Sequence, residues 1–215
     1  NAFQAKDFPD EAIREYREAL RINPDHALAH SNLGVALKAK GLVDEAIRKY
    51  REALRINPDD ALAYNNLGNA FQAKGLLDEA IREYREAIRI NPDEALEHYN
   101  LGVVLKTKGL VDEAIREYRE AIRINQDYAG AHSNLGVELE AKGLVDEAIR
   151  EYRDAIRINP DYAGAHNNLG IALKKKGLVD EAIREYENFI RCAPPQYAGH
   201  LEMVKDVIRQ LKGQR

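Results

Sequence analysis

The chain has 215 residues, of which 32% are charged and 45% hydrophobic, with a net charge of −4. It contains no apolar run long enough to cross a bilayer, and its acidic balance without an arginine–aromatic array argues against a nucleic-acid surface. The single cysteine, Cys192, excludes an internal disulfide and a thiolate-rich metal site, so a cytoplasmic setting without cofactor or membrane is the expectation.

In chain order, the first residues Asn1-Ala2-Phe3 match Asn69-Ala70-Phe71 of a later segment, so the chain opens inside a repeating pattern. The expectation is that the natural protein continues N-terminally, or that this uncapped face meets another molecule, self-association included. The glycine of a Leu-Gly pair then recurs at Gly34, Gly68, Gly102, Gly136 and Gly170 with a constant step of 34 residues. A partial repeat over 1–26 is followed by complete repeats at 27–60, 61–94, 95–128, 129–162 and 163–196.

Each repeat predicts two helices. The first carries Leu33, Ala36 and Leu37 at helical spacing and stops at a glycine suited to left-handed backbone: Gly41, Gly75, Gly109, Gly143 or Gly177. The second opens on Asp-Glu-Ala, whose acids suit the positive end of a helix. It continues through Ala46, Ile47, Tyr50, Ala53 and Leu54 to the stop at Asn57-Pro58. Asp44, Arg48 and Glu52 stand four residues apart, as pairs on a solvated face. In the first repeat Asp7 takes the place of the turn glycine, with Pro9 behind it where a helix accepts proline, so a helix boundary is expected there. Beyond Pro194-Pro195, Leu201, Val204, Ile208 and Leu211 define the apolar face of a capping helix, and 197–215 reads as cap and tail.

The pattern Leu33-Gly34, Leu37, Ala46, Tyr50, Ala53, Pro58 at this period resembles the tetratricopeptide repeat, and the likeness covers essentially the whole chain. The resemblance implies an all-α solenoid of stacked antiparallel hairpins wound into a right-handed superhelix, a scaffold for protein–protein interaction. It departs from the family at position 4, where His30, Tyr64, His98, His132 and His166 replace the usual large residue, and at Gln126, which replaces a proline.

No catalytic constellation is present. Successive histidines stand one repeat apart, roughly 10 Å, too far to converge on one ion, so they read as packing residues. The Asp-Glu pairs are explained by helix starts, and no phosphate loop or activated nucleophile occurs. Charge is divided: the first helices are net basic and the second net acidic. By the resemblance the first helices line a concave groove, with Lys38, Lys106, Lys174 and Lys175 as its cations and Glu140 breaking the trend.

Position 6 of every complete repeat is asparagine: Asn32, Asn66, Asn100, Asn134 and Asn168. A primary amide offers a donor and an acceptor, which matches the alternating groups of an extended peptide backbone. This row is similar to the asparagine ladder in the repeat domain of O-linked N-acetylglucosamine transferases, although no glycosyltransferase module accompanies it. Asn65, Asn69 and Gln72 are added as groove residues, and Leu28, Leu62 and Leu96 give way to Gly130 and Gly164 at position 2, which predicts deeper pockets C-terminally. A carboxylate clamp for chaperone tails is disfavoured: Asn69 and Asn100 fit it, but Asn65, Gly130 and Asn134 stand where it needs cations. The expected partner is therefore an extended, acidic segment of another protein. A local hydrogen-bonding role for the asparagines, a self-assembling module, and the substrate-presenting part of a larger enzyme remain as alternatives.

Overall fold

The computed structural model describes residues 4–213, so the motif Asn1-Ala2-Phe3 lies outside the described residues. Among them there are twelve α-helices, one 3-10 turn and no strand. The chain forms two compact units that divide after Leu110.

The first unit holds α1 (Gln4–Ile22), α2 (Ala27–Ala39), α3 (Val43–Ile56), α4 (Ala61–Ala73), α5 (Leu77–Ile90) and α6 (Ala95–Thr107). The second holds α7 (Val111–Ile124), α8 (Ala129–Ala141), α9 (Val145–Ile158), α10 (Ala163–Lys175), α11 (Val179–Cys192) and α12 (Ala198–Gly213), the last preceded by the 3-10 turn Pro195–Tyr197. Within each unit every helix packs on the next, and first helices of neighbouring hairpins also touch, α2 with α4 and α8 with α10. This is the stacked-hairpin order expected of an α-solenoid.

The hairpin turns follow from one glycine each. Gly41, Gly75, Gly109, Gly143 and Gly177 all have φ between 73° and 80°, where a Cβ would be strained. Leu42 N–H then reaches back to the Leu37 carbonyl at 2.9 Å, and Leu178 N–H to that of Leu173 at 3.0 Å, closing Schellman motifs. The following leucine starts the second helix without a side-chain cap, which leaves the positive helix end to the Asp-Glu pair.

Asp7 departs from this scheme. The helix runs unbroken from Gln4 to Ile22, and no non-glycine residue among those described has positive φ. An L-residue costs about 1–2 kcal/mol in the left-handed region, a penalty that glycine does not carry, so the chain continues as helix instead.

The core repeats the same lock in the four hairpins that lie within one unit. A Cβ on Gly34 would fall 2.6 Å from the Tyr50 ring, and one on Gly170 2.7 Å from the Tyr186 ring, so the glycine is required for the tyrosine to lie against the first helix. Those tyrosines, with Leu33, Leu67, Leu135, Leu169 and the alanines of the second helices, are almost fully buried. Val204, Ile208 and Leu211 of α12 complete the core of the second unit against α11.

The surface pairing differs from the expected four-residue ladder. Asp44 pairs with Lys74 of the next hairpin, as Asp78 does with Lys108, Asp112 with Lys142 and Asp146 with Lys176, while Glu52 pairs with Arg55. The lysine holds each of these aspartates below the usual carboxylate range. Asp44 thus both starts a helix and ties it to the next repeat.

Candidate peptide-binding site

In the first unit, α2, α4 and α6 carry Asn32, Asn66 and Asn100 at the same helical position, each half-buried. Asn100 is tied into a local network. Asn65 Oδ1 accepts from Asn100 Nδ2 at 3.1 Å and from Asn69 Nδ2 at 3.4 Å. The Tyr84 hydroxyl lies 3.0 Å from both Asn69 Oδ1 and Gln72 Oε1, so its one proton is shared between two acceptors. Four of the expected groove residues are therefore brought together in one cluster, Asn65, Asn69, Gln72 and Asn100. By contrast, among the described residues Asn32 and Asn66 make no side-chain hydrogen bond. Lys38 is half-buried and burial pushes its ammonium below the ordinary lysine range, while Lys106 is also half-buried.

In the second unit, Asn134 on α8 and Asn168 on α10 are half-buried, and Asn168 makes no side-chain hydrogen bond among the described residues. Glu140 accepts from the Tyr152 hydroxyl at 3.2 Å and pairs with Lys175, which removes Lys175 from the set of unpaired cations. Lys174 is exposed and pairs with no carboxylate among the described residues. The expected space at Gly130 and Gly164 is not what opens the apolar cleft of this unit. That cleft lies between α10 and α12, and neither glycine lines it.

Sequence reasoning did not find the tyrosine hydroxyls. Buried Tyr84 and Tyr152 reach through the hairpin to Gln72 and Glu140, twelve residues earlier in the chain. That separation recurs at Lys38–Tyr50 and Lys174–Tyr186, where the residue twelve earlier offers no acceptor. The Tyr50 hydroxyl is accordingly buried with no partner, and burial pushes it up to about 12.

The position-4 histidines do pack, and they also bond. His30, His132 and His166 donate from Nε2 to the carbonyls of Pro24, Gln126 and Pro160 at 2.9, 3.1 and 2.9 Å. His132 Nδ1 then faces Glu151 Oε2 at 2.7 Å, and His166 Nδ1 faces Glu185 Oε2 at 2.6 Å. Burial would push these imidazoles down, but the carboxylate and carbonyl together outweigh it and hold both above the ordinary histidine range. His132, Glu151 and Asp154 bring their ligand atoms within 4.8 Å of one another inside one hairpin, which the one-histidine-per-repeat argument did not foresee. Both nitrogens of that imidazole face acceptors, so a proton occupies the place a cation would take.

This geometry defines a helical-repeat scaffold, and the family is shown directly. A model described as "TPR repeat" matches residues 10–41, 38–75, 72–109, 107–143 and 138–177, and the chain belongs to the tetratricopeptide repeat family. No curated protein sequence matches it. Among solved structures, the crystal structure of MamA is similar at 29% identity, covering 74% of this chain and 94% of its own, with a TM-score of 0.70. YrrB, described as a TPR protein with an unusual peptide-binding site, is 24% identical over 87% of this chain and 97% of its own, with a TM-score of 0.70. The fold is also shared with MamA residues 41 to the end from Desulfovibrio magneticus RS-1, at 19% identity over 77% of this chain and 94% of that one, with a TM-score of 0.71. Among the described residues no helix is long and apolar enough to cross a membrane.

Proposed function

We propose that the chain is a non-catalytic scaffold that binds an extended segment of a partner protein along its first helices. The observation that carries this reading is the recurrence of half-exposed asparagine amides at one helical position, with Asn32, Asn66 and Asn168 unsatisfied by the protein among the described residues. A backbone lying across them supplies both the carbonyl and the N–H that such an amide takes. In the first unit Leu28, Leu62 and Leu96 are exposed on the same helices and offer apolar contact between the amides. The unpaired Lys174 favours acidic residues in the bound segment. YrrB is described as binding peptide, but its likeness carries the fold alone, so the reading rests on this chain's residues.

Each amide is worth about 0.5–1.5 kcal/mol net, so several must be engaged together. Displayed random dodecapeptides selected on the intact chain provide the ligand. Asn32→Ala and Asn66→Ala should each weaken the selected peptides that seat on the first unit about twofold to tenfold, with helical content unchanged. Unaltered affinity in the double variant would sink the ladder.

A further inference from the structure

In the second unit, α10 and α12 enclose an open cleft of about 350 Å³ lined by Ile171, Met203 and Val207, with Lys174, Lys175 and Tyr186 among its polar groups. Its wall is mostly apolar, and Met203 is 64% exposed. Its polar lining includes two donors without acceptors, Lys174 and the Tyr186 hydroxyl, while Lys175, which also lines it, is paired with Glu140. His200 Nε2–H donates to Asn167 Oδ1 at 3.2 Å, which orients the Asn167 amide so that its NH₂ is left over. Neither Lys174 nor the Tyr186 hydroxyl has a hydrogen-bond partner among the described residues. In the hairpins of Tyr84 and Tyr152 the equivalent hydroxyl is satisfied by Gln72 or Glu140. Lysine at 174 removes that internal acceptor.

We propose that this cleft is an anchor site for a peptide segment in which a large aliphatic side chain stands next to a carboxylate. The aliphatic group fills the space between Ile171, Met203 and Val207, and the carboxylate accepts from Lys174, Tyr186 and Asn167. A cluster of donors at the rim of an apolar cavity selects a ligand that brings an anion and a hydrocarbon together. A peptide fits better than a free amphiphile because Asn168, the chain neighbour of the lining residue Asn167 and one helical turn before Ile171, carries an unsatisfied amide that can take the backbone bearing the anchor. The proposal rests on the reading of the first helices as a peptide-binding surface, and it names the chemistry of one end of that peptide.

The test uses the intact, isotopically labelled chain and a Gly/Ser decapeptide with a central Leu-Asp pair, followed by amide and methyl resonances. Versions with Leu-Asn and Ala-Asp serve as controls, and decanoate tests the free amphiphile. The Leu-Asp peptide should shift the methyl signals of Ile171, Met203 and Val207, and both control peptides should bind at least fivefold more weakly. Lys174→Gln should weaken the Leu-Asp peptide at least fivefold and leave the Leu-Asn peptide unchanged. Tyr186→Phe should produce a smaller loss in the same direction. Shifts at the side-chain amides of Asn32, Asn66 and Asn168 without shifts at the cleft would overturn the anchor site and leave the ladder standing. Shifts at the cleft alone would uphold the anchor and remove the ladder. Decanoate binding without peptide binding, or no shift at millimolar peptide, would overturn the anchor.

Discussion

The stretch from α4 to α6 in the first unit and the stretch from α10 to α12 in the second use the same repeat to opposite effect. In the first, Asn65, Asn69, Gln72, Asn100 and Tyr84 answer one another's hydrogen bonds. In the second, Lys174 stands where Gln72 stood, and the tyrosine, lysine and asparagine donors face a cleft instead of each other. The framework beneath is unchanged, since the same Leu-Gly pair packs on the same tyrosine in both. Gln72 against Lys174 and Asn69 against Ile171 therefore separate a stretch closed on itself from one open to a ligand, while the Leu-Gly-Tyr packing beneath is kept.

The largest effect should be the one both units share. Gly68→Ala places a Cβ 2.9 Å from the Tyr84 ring and Gly170→Ala places one 2.7 Å from that of Tyr186. Both glycines have ordinary helical backbone, so helix propensity alone would favour alanine by about 1 kcal/mol. Overpacking against a buried ring should outweigh it, leaving a net loss of about 2 kcal/mol in either variant by urea unfolding. A loss at one site and a gain at the other would break the equivalence of the two hairpins.

Next comes a departure peculiar to the first unit. Glu97 is buried where the other repeats have Ala29, Ala63, Ala131 and Ala165, and its Oε2 has no partner among the described residues. Burial pushes its carboxyl up. Glu97→Ala should stabilise the chain by about 1–2 kcal/mol at neutral pH. A carboxylate with a raised folded pKa destabilises only where it is ionised in the unfolded chain. The advantage of the variant should therefore be full above the folded pKa and vanish as pH falls below the ordinary glutamate value of about 4.3. A constant gain down to pH 3 would mean that sterics, not charge, disfavours Glu97.

How much of this could be read in advance depends on whether a residue acts within its own helix or across helices. Gly41 and its counterparts were legible because a helix end needs left-handed backbone at one local position, and the apolar face of α12 was legible from its period. Lys174 was picked out as a cation, but its partnership with the cleft was not, because α12 comes to it through tertiary packing. The pairing of Asp44 with Lys74 rather than Arg48, and of His166 with Glu185, likewise joins residues that no local rule connects. Asp7 failed in the other direction: the repeat alignment asked for a turn, and without glycine's freedom the helix ran on.

Removing one oxygen from each stretch separates the two. Tyr84→Phe deletes a hydroxyl shared by Asn69 and Gln72 and should cost about 1 kcal/mol. Tyr186→Phe deletes a hydroxyl with no protein partner among those described, and thermal unfolding should move by less than about 0.5 kcal/mol. Equal losses would mean that the Tyr186 proton is already engaged, and that the cleft is less open than its lining suggests.

The smallest effect separates the hairpins by pH. In the second unit His166 lies between the Pro160 carbonyl and the Glu185 carboxylate, and its folded pKa is raised. A raised histidine contributes stability that is full below its unfolded value of about 6.5 and fades as pH climbs through the folded one. In the first unit the glutamate is replaced by Lys49, which lines the same open cleft as His30, and His30 Nδ1 is buried without a partner. Glu185→Gln should therefore cost about 0.5–1 kcal/mol at pH 5.5 and little at pH 8.5, by unfolding at the two values. Lys49→Glu should do the reverse in the first unit, giving His30 an acceptor flanked by Arg48 and Arg51 and adding a similar amount at pH 5.5 that is lost by pH 8.5. If Lys49→Glu gains equally at both values, the benefit is surface charge alone, and the histidine–carboxylate pair is not the source of pH dependence.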